Sequence, residues 1–342
     1  MQYSFFTSEL EEIKNIIILN EKILETLEGL DKRLFTRSLH KNLTIEIYTF
    51  WENFVKNLIY SCYSNYKKIL VDKRFIKKFL QQVNEKSYSR NLFLKNIEDN
   101  KFNITKDNLC HSNNLNYKEL ESLFKRVMFD SNEFKKHIED FPGLREAIEC
   151  LKNNAIIPTF DDVEIPKDTT GYVEAYLNLV VENRNSVAHQ YQITEIYSIN
   201  QFKYILKFIE LLTLVVFEFC SSQLLKLGMS KKEKISNMLY PVQVIRGKSK
   251  CKNALLWIRN SCNKSIKKND IIYFLDKTKN IYRIAKIITI KNKYRENCTE
   301  MLPLRDYSIE IDTVASINKR HKFFIACSLR PNSSSYEYSI VV

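Results

Sequence analysis

The sequence predicts an α+β protein: an N-terminal all-α helical bundle followed by a small antiparallel β-barrel or sandwich domain. Three observations carry this. As far as about residue 230, apolar side chains recur at three- and four-residue spacing. After Ser230 seven short β-branched and aromatic runs appear, separated by Asn, Lys, Ser and Asp turns. The charge changes at the same place. Residues 231–342 carry 23 of the 53 Lys and Arg but 9 of the 40 Asp and Glu, a net of +14, against −1 for residues 1–230. The predicted domains are therefore 1–230, helical, and 231–342, basic and all-β, with the Lys231–Lys234 charge run as the junction.

In chain order, residues 8–30 form the first helix, with Leu10, Ile13, Ile17, Ile18, Leu24 and Leu27 on an apolar stripe. Residues 41–70 form a second through Ile45, Tyr48, Trp51, Phe54, Val55, Leu58 and Ile59. Residues 72–83 read as a basic amphipathic helix. An Asn-rich stretch from Asn84 to Asn116 resembles an insertion of short helices and loops, and residues 84–170 as a whole are read as inserted. Helical pieces follow over Tyr117–Phe129 and Leu144–Asn153. Residues 154–171, with Pro158, Pro166 and Gly171, form a loop leading to a helix over 172–189, with Thr169 or Thr170 as its N-cap. A last helix covers 199–227 and ends at Gly228. The predicted strands are Val242–Arg246, Ala254–Ile258, Ile271–Leu275, Tyr282–Ile290, Ser308–Val314, Phe323–Cys327 and Tyr336–Val341.

Bulk composition excludes several classes. The chain has 342 residues, 44% apolar and 27% charged, near globular averages. It holds five Gly, with no G-x-G-x-x-G and no G-x-x-x-x-G-K-[ST], so nucleotide binding by those two routes is disfavoured. Eight Cys at 62, 110, 150, 220, 251, 262, 298 and 327 include no C-x-x-C pair, which points to reduced thiols in a cytoplasmic protein. The His residues outside 184–189 lack ligand spacing, and Cys110 and His111, being adjacent, chelate poorly; no metal and no cofactor are expected. No basic n-region precedes Glu9, Glu11 and Glu12, so no signal peptide is read, and the apolar run Leu211–Phe217 is too short to span a bilayer.

The most informative segment is Arg184-Asn185-Ser186-Val187-Ala188-His189, at the end of a predicted helix and followed by Tyr191. RNA can be cut without metal when its 2′-hydroxyl attacks the adjacent phosphorus. A base must take the 2′ proton, a cation must hold the crowded phosphorane, and an acid must protonate the leaving 5′-oxygen. His189 suits either proton transfer, each worth about 10²–10⁴-fold. Arg184 suits the non-bridging oxygens. Asn185 offers an amide, and Tyr191 a hydroxyl, to orient the phosphate or the imidazole. Residues five apart lie roughly 140° apart around a helix, so Arg184 and His189 converge only if the helix frays near His189 or a second copy packs across a two-fold axis. The plainer alternatives are an ion pair of Arg184 with Glu182 or Glu174, and His189 as a C-terminal residue favoured by the helix dipole.

The R-N-x-x-A-H string on a helix of an all-α domain resembles the R-x(4–6)-H signature of the HEPN superfamily (higher eukaryotes and prokaryotes nucleotide-binding). The segment Tyr48-Thr49-Phe50-Trp51-Glu52-Asn53-Phe54 is similar to the aromatic and acidic segment that opens such domains in prokaryotic defence ribonucleases. The resemblance covers roughly residues 8–227 and says nothing of 231–342. It implies a metal-independent, dimeric endoribonuclease with Arg184 and His189 as the catalytic pair and Asn185 supporting them. It also implies an antiviral-defence or toxin–antitoxin role. Tyr191 matches the H-x-Y extension of members whose nucleotidyltransferase antitoxin modifies that Tyr. Glu46 and Glu52 are placed to approach the site, or are ordinary surface or capping charges.

The basic third offers Lys248, Lys250, Lys252, Lys264, Lys267 and Lys268 near Trp257, Tyr273 and Tyr282, a pattern that suits RNA. Trp257 and Phe274 are expected in the barrel core, with the charge attracting RNA. The same charge is also what lysine-rich compositional drift produces. The expected function is cleavage of RNA by 2′-hydroxyl attack; the alternative is a non-catalytic RNA- or partner-binding subunit that uses the helical domain to dimerise. Expected partners are RNA, a second copy of the chain, and an antitoxin or phage-derived trigger protein, with no membrane.

Overall fold

The computed structural model describes residues 3–65, 104–156, 158, 166, 168–189, 196–230, 236–246, 253–260, 265–276, 279–312 and 322–326. Among these are eight helices followed by nine strands. The predicted helix over 72–83 and strand Tyr336–Val341 lie outside the described residues. Two compact units result. One is built from Tyr3–Tyr63 and Val71–Phe217, the other mainly from Glu218–Val342.

Helices α1 (Tyr3–Thr26) and α2 (Gly29–Asn65) replace the predicted 8–30 and 41–70. The first helix stops early because Gly29 sits at φ +55°, a left-handed conformation that lets the chain reverse. No atom lies within 4 Å of where a Cβ would stand, so the requirement is conformational rather than steric. On α1, Leu10, Ile13 and Ile17 are buried, while Ile18, Leu19 and Ile23 face solvent. Helix α2 is the buried member: Leu43, Ile47, Tyr48, Trp51, Phe54 and Val55 are each at most 1% exposed.

Four short helices follow: α3 (Lys106–Leu109), α4 (Tyr117–Arg126), α5 (Ser131–Glu139) and α6 (Pro142–Asn153). Each has a local reason to start. Thr105, Asn116 and Asp130 cap α3, α4 and α5 by accepting backbone N–H bonds, and Pro142 opens α6. This part of the expected insertion is core: Leu109, Leu115, Leu120, Phe124, Phe134 and Leu144 are fully buried. Leu115 lies in a loop, yet both its backbone groups are satisfied from α2. Its N–H donates to Tyr48 Oη at 3.0 Å, and its carbonyl accepts from Trp51 Nε1 at 3.1 Å.

Helix α7 (Thr169–His189) packs on α4, α5 and α6. Its N-terminus differs from expectation: Thr169 and Thr170 are helical, and Asp168 is the cap, accepting from Gly171 N–H at 2.8 Å. The amides of Thr169 and Thr170 are taken by the Glu139 carboxylate instead. Burial opposes ionisation of Glu139, but the hydrogen bonds from Thr170 and Thr169 prevail and hold its pKa below the usual value. Helix α8 (Ile199–Ser230) runs through Gly228 rather than stopping at it. Up to Phe217 it contacts α1 through the Lys14–Glu210 and Lys203–Glu21 pairs, α2 through His40 on Phe202, and α7 through Tyr176 on Phe208.

The strands are β1 (Ser236–Arg246), β2 (Asn253–Arg259), β3 (Ile266–Lys267), β4 (Ile271–Asp276), β5 (Ile281–Lys291), β6 (Asn297–Cys298), β7 (Glu300–Met301), β8 (Asp306–Asp312) and β9 (Lys322–Ala326). All pairings are antiparallel. The order β4-β9-β1-β2-β8-β5-β6 curls on itself because β4 also pairs with β5. The two long strands make the curl: β5 pairs with β4 through its first half and with β8 through its second. The interior holds Leu256, Ile258, Ile272, Phe274, Ile287 and Ile311. Phe274 is core, as expected; Trp257 is not, since it alternates with Leu256 and Ile258 and is half-buried.

Within the same unit, the last turns of α8 bond to the strands. Ser221 and Ser222 meet Tyr273 and the amide of Tyr282. Glu218, fully buried, accepts from Arg283 Nη1 at 2.6 Å and from the Ile284 amide at 3.2 Å. A buried pair of this kind adds little net stability while intact, but breaking it strands a charge. Glu218→Ala is expected to lower unfolding stability by about 3–5 kcal/mol in equilibrium urea titration. Replacing both partners with apolar residues of similar volume (Glu218→Leu with Arg283→Met) should restore most of the loss.

Candidate active site

The site is built on the last turn and a half of α7. Arg184 and Asn185 are half-buried, and His189, the final helical residue, is exposed. Arg184 Nη1 donates to Asn185 Oδ1 at 2.9 Å, and the guanidinium carbon lies 5.0 Å from the centre of the Tyr48 ring. That ring is fixed from behind by its bond from Leu115 N–H. Burial pushes the Tyr48 phenol above its usual pKa; the Leu115 N–H bond and the Arg184 charge oppose it, while the charge and hydrogen bond of Glu52 reinforce it, so the phenol stays neutral.

Neither Glu182 nor Glu174 pairs with Arg184. No described residue gives this guanidinium an ion pair; its contacts are the Asn185 amide and the neutral Tyr48 ring. Glu52, one turn beyond Tyr48 on α2, is held by Lys56 at 2.9 Å. Glu46 lies away from this cluster: burial and the charge of Glu12 on α1 raise its pKa. The result is a half-buried cation that the Asn185 amide and the Tyr48 ring hold in place.

A second clamp anchors the same helix end. Asn183 Nδ2 donates to the Tyr197 hydroxyl at 3.0 Å, and Tyr197 N–H donates to His40 Nδ1 at 2.9 Å. The His40 ring packs against Tyr197 and Phe202. His40 and Tyr197 carry no sequence signal of this role; only the polar His inside an apolar helix face hints at one.

Helix α7 continues through His189, so Arg184 and His189 lie on different faces of one helix, about 140° apart by ideal geometry. Tyr191, Lys248, Lys250, Lys252 and Lys264 lie outside the described residues. Lys267 on β3 and Lys268 in the following turn are exposed and belong to the other unit. Among the described residues no three His, Cys, Asp or Glu side chains gather as metal ligands, and no helix is long and apolar enough to cross a membrane. The Cys110 thiol is pushed up to about 12 by burial and is no nucleophile.

The helical unit is a HEPN-superfamily domain. The family model for RiboL-PSP-HEPN matches residues 4–222, and the chain belongs to that family. No curated protein matches the sequence. Membership ties the chain to RNA-related function.

His40 makes the site's scaffold pH-sensitive. Its Nδ1 accepts a bond only when unprotonated, and burial lowers its pKa below the ordinary value. In the unfolded chain a His titrates near about 6.5. The stability that neutral His40 contributes is therefore fully present above that pH and is lost as pH falls towards the lower folded value. Thermal unfolding of wild type should weaken from pH 7.5 to pH 5. His40→Asn, which keeps an acceptor but does not titrate, should show a shallower decline.

Proposed function

We propose that the protein is a metal-independent endoribonuclease that cuts RNA by attack of the 2′-hydroxyl on the adjacent phosphorus, acting as a prokaryotic antiviral-defence or toxin–antitoxin effector. The observation that carries this is Arg184: a half-buried guanidinium, oriented by Asn185 and Tyr48, with no carboxylate to neutralise it among the described residues. Such a cation favours the phosphorane over the singly charged diester because its charge is already desolvated and aimed. His189 takes the 2′ proton or returns one to the 5′-oxygen. Because the helix is unbroken through His189, the catalytic pair is completed by a second copy of the chain, whose His189 meets this Arg184 across a two-fold axis. Tyr191 and Glu52 support the site from its rim. Residues 1–230 act as the catalytic domain with 84–170 inserted, and 231–342, with Lys248, Lys250, Lys252, Lys264, Lys267 and Lys268, draw RNA to it in the cytoplasm. An antitoxin or phage-derived protein sets when it acts.

One observation favours a second reading, a non-catalytic RNA- or partner-binding subunit: His189 is exposed, and no described side chain bonds its ring to fix a tautomer. Activity separates the two. His189→Ala should lower RNA cleavage by about 10²–10⁴-fold and Arg184→Ala comparably. EDTA should have no effect, the products should end in 2′,3′-cyclic phosphate and 5′-hydroxyl, and the dimer should persist in both variants. Cleavage that EDTA stops, or that survives both substitutions, rejects the mechanism.

A further inference from the structure

The β5–β6 end of the barrel carries an exposed aromatic ring on an unusually well-tied turn. Strands β5 and β6 pair through Ile290 with Cys298 and Lys291 with Asn297. Residues 292–296 join them, and Asn292 organises the turn from both its side chain and its backbone. Its Oδ1 accepts from the amides of Tyr294, at 2.9 Å, and Glu296, at 3.0 Å; its Nδ2 donates to the Glu296 carboxylate at 2.7 Å. Its backbone N–H donates to Glu296 O, and its carbonyl accepts from Arg295 N–H. Arg295 adopts φ +66° to make this possible. The Tyr294 ring at the tip is 71% exposed, with Lys293 Nζ 4.8 Å from its centre.

The surroundings are cationic. Lys291, Lys293 and Arg295 are exposed on the hairpin. Lys267 pairs in register with Glu300 on β7, and Lys268 N–H donates to Thr299 O, directly after β6, so both extend the same edge. None of the five forms an ion pair with a described residue. Of the acids nearby, Glu296 is tied to Asn292, Glu300 is half-buried, and Asp270 accepts the Lys267 amide at 2.7 Å.

We propose that this tip is a binding site for single-stranded RNA, with Tyr294 as a stacking platform for an unpaired base and the flanking cations tracking the backbone. An exposed ring on a rigid turn loses little entropy on capturing a base, and a base has a free face only when its strand is unpaired. Three exposed cations on the ring's own hairpin, with Lys267 and Lys268 beside Glu300 and Thr299, match a polyanion with aromatic faces. The site rests on the RNA reading above only for the identity of its ligand; it does not depend on cleavage.

The test uses the full chain carrying His189→Ala, so that RNA is not consumed, and a labelled uridine homopolymer followed by fluorescence anisotropy. Tyr294→Ala should weaken binding about tenfold, leave binding of duplex RNA within twofold, and leave the melting temperature unchanged. Tyr294→Phe, which keeps the ring, should bind as the parent does. Lys293→Glu with Arg295→Glu should flatten the dependence of affinity on salt. Unchanged single-strand affinity in Tyr294→Ala overturns the proposal, as does equal loss in Tyr294→Phe. It is also overturned if the variant instead loses binding to phosphatidylserine vesicles with RNA binding intact. Cleavage persisting in Arg184→Ala would sink the catalytic reading while leaving these binding results standing.

Discussion

The helical unit depends on how one buried loop residue satisfies its backbone. Leu115 has no exposed surface and sits outside any helix, so its N–H and C=O would each carry the cost of an unmade hydrogen bond. Tyr48 and Trp51, three residues apart on one face of α2, supply an acceptor and a donor to the two groups. That arrangement locks the loop before α4 onto the buried part of α2. It also ties down the Tyr48 ring, whose face lies 5.0 Å from the Arg184 guanidinium carbon. A packing requirement and a candidate catalytic geometry thus share one side chain.

Electrostatics at the site follow from what is missing rather than what is present. A half-buried guanidinium normally finds a carboxylate, and two lie close in sequence. Arg184 instead rests on a ring whose phenol burial keeps neutral, a contact worth about 0.5–2 kcal/mol. The nearest acid of α2, Glu52, is engaged by Lys56. Among the described residues the desolvation of Arg184 is therefore only partly offset, by one amide and one ring. The barrel unit shows the opposite solution: the Arg283 guanidinium is buried and pairs with the Glu218 carboxylate through Nη1 at 2.6 Å.

The helices with an apolar face buried on one side were legible from spacing, as α1, α7 and α8 illustrate. The first stretch of α2 was not, because residues around Leu30 and Leu34 are exposed and carry no core stripe. Helix α5 hid for a different reason: its nine residues bury only Phe134, His137 and Ile138, too short a stripe to separate from the preceding helix. Strands β3, β6 and β7 have two residues each, below any period. At the site, the motif itself announced Arg184, Asn185 and His189. Tyr48 read as a core aromatic, which it is; that its ring also underlies the guanidinium depends on a contact made across the fold. The freedom of Arg184 from Glu182 and Glu174 was equally invisible, since proximity along a helix says nothing of rotamer.

The Tyr48–Leu115 bond spans 67 residues of sequence and the Trp51–Leu115 bond 64. Helix α2 can form as soon as it is made, from purely local bonds. Its Tyr48 acquires the Leu115 bond only after a long loop has closed, an entropic step that local structure cannot bypass. Arg184 enters the chain later still. The surface on which the guanidinium rests thus depends on a long-range closure, and a chain truncated before the loop of Leu115 has every apolar residue of α2 yet lacks the bond that ties down the Tyr48 ring.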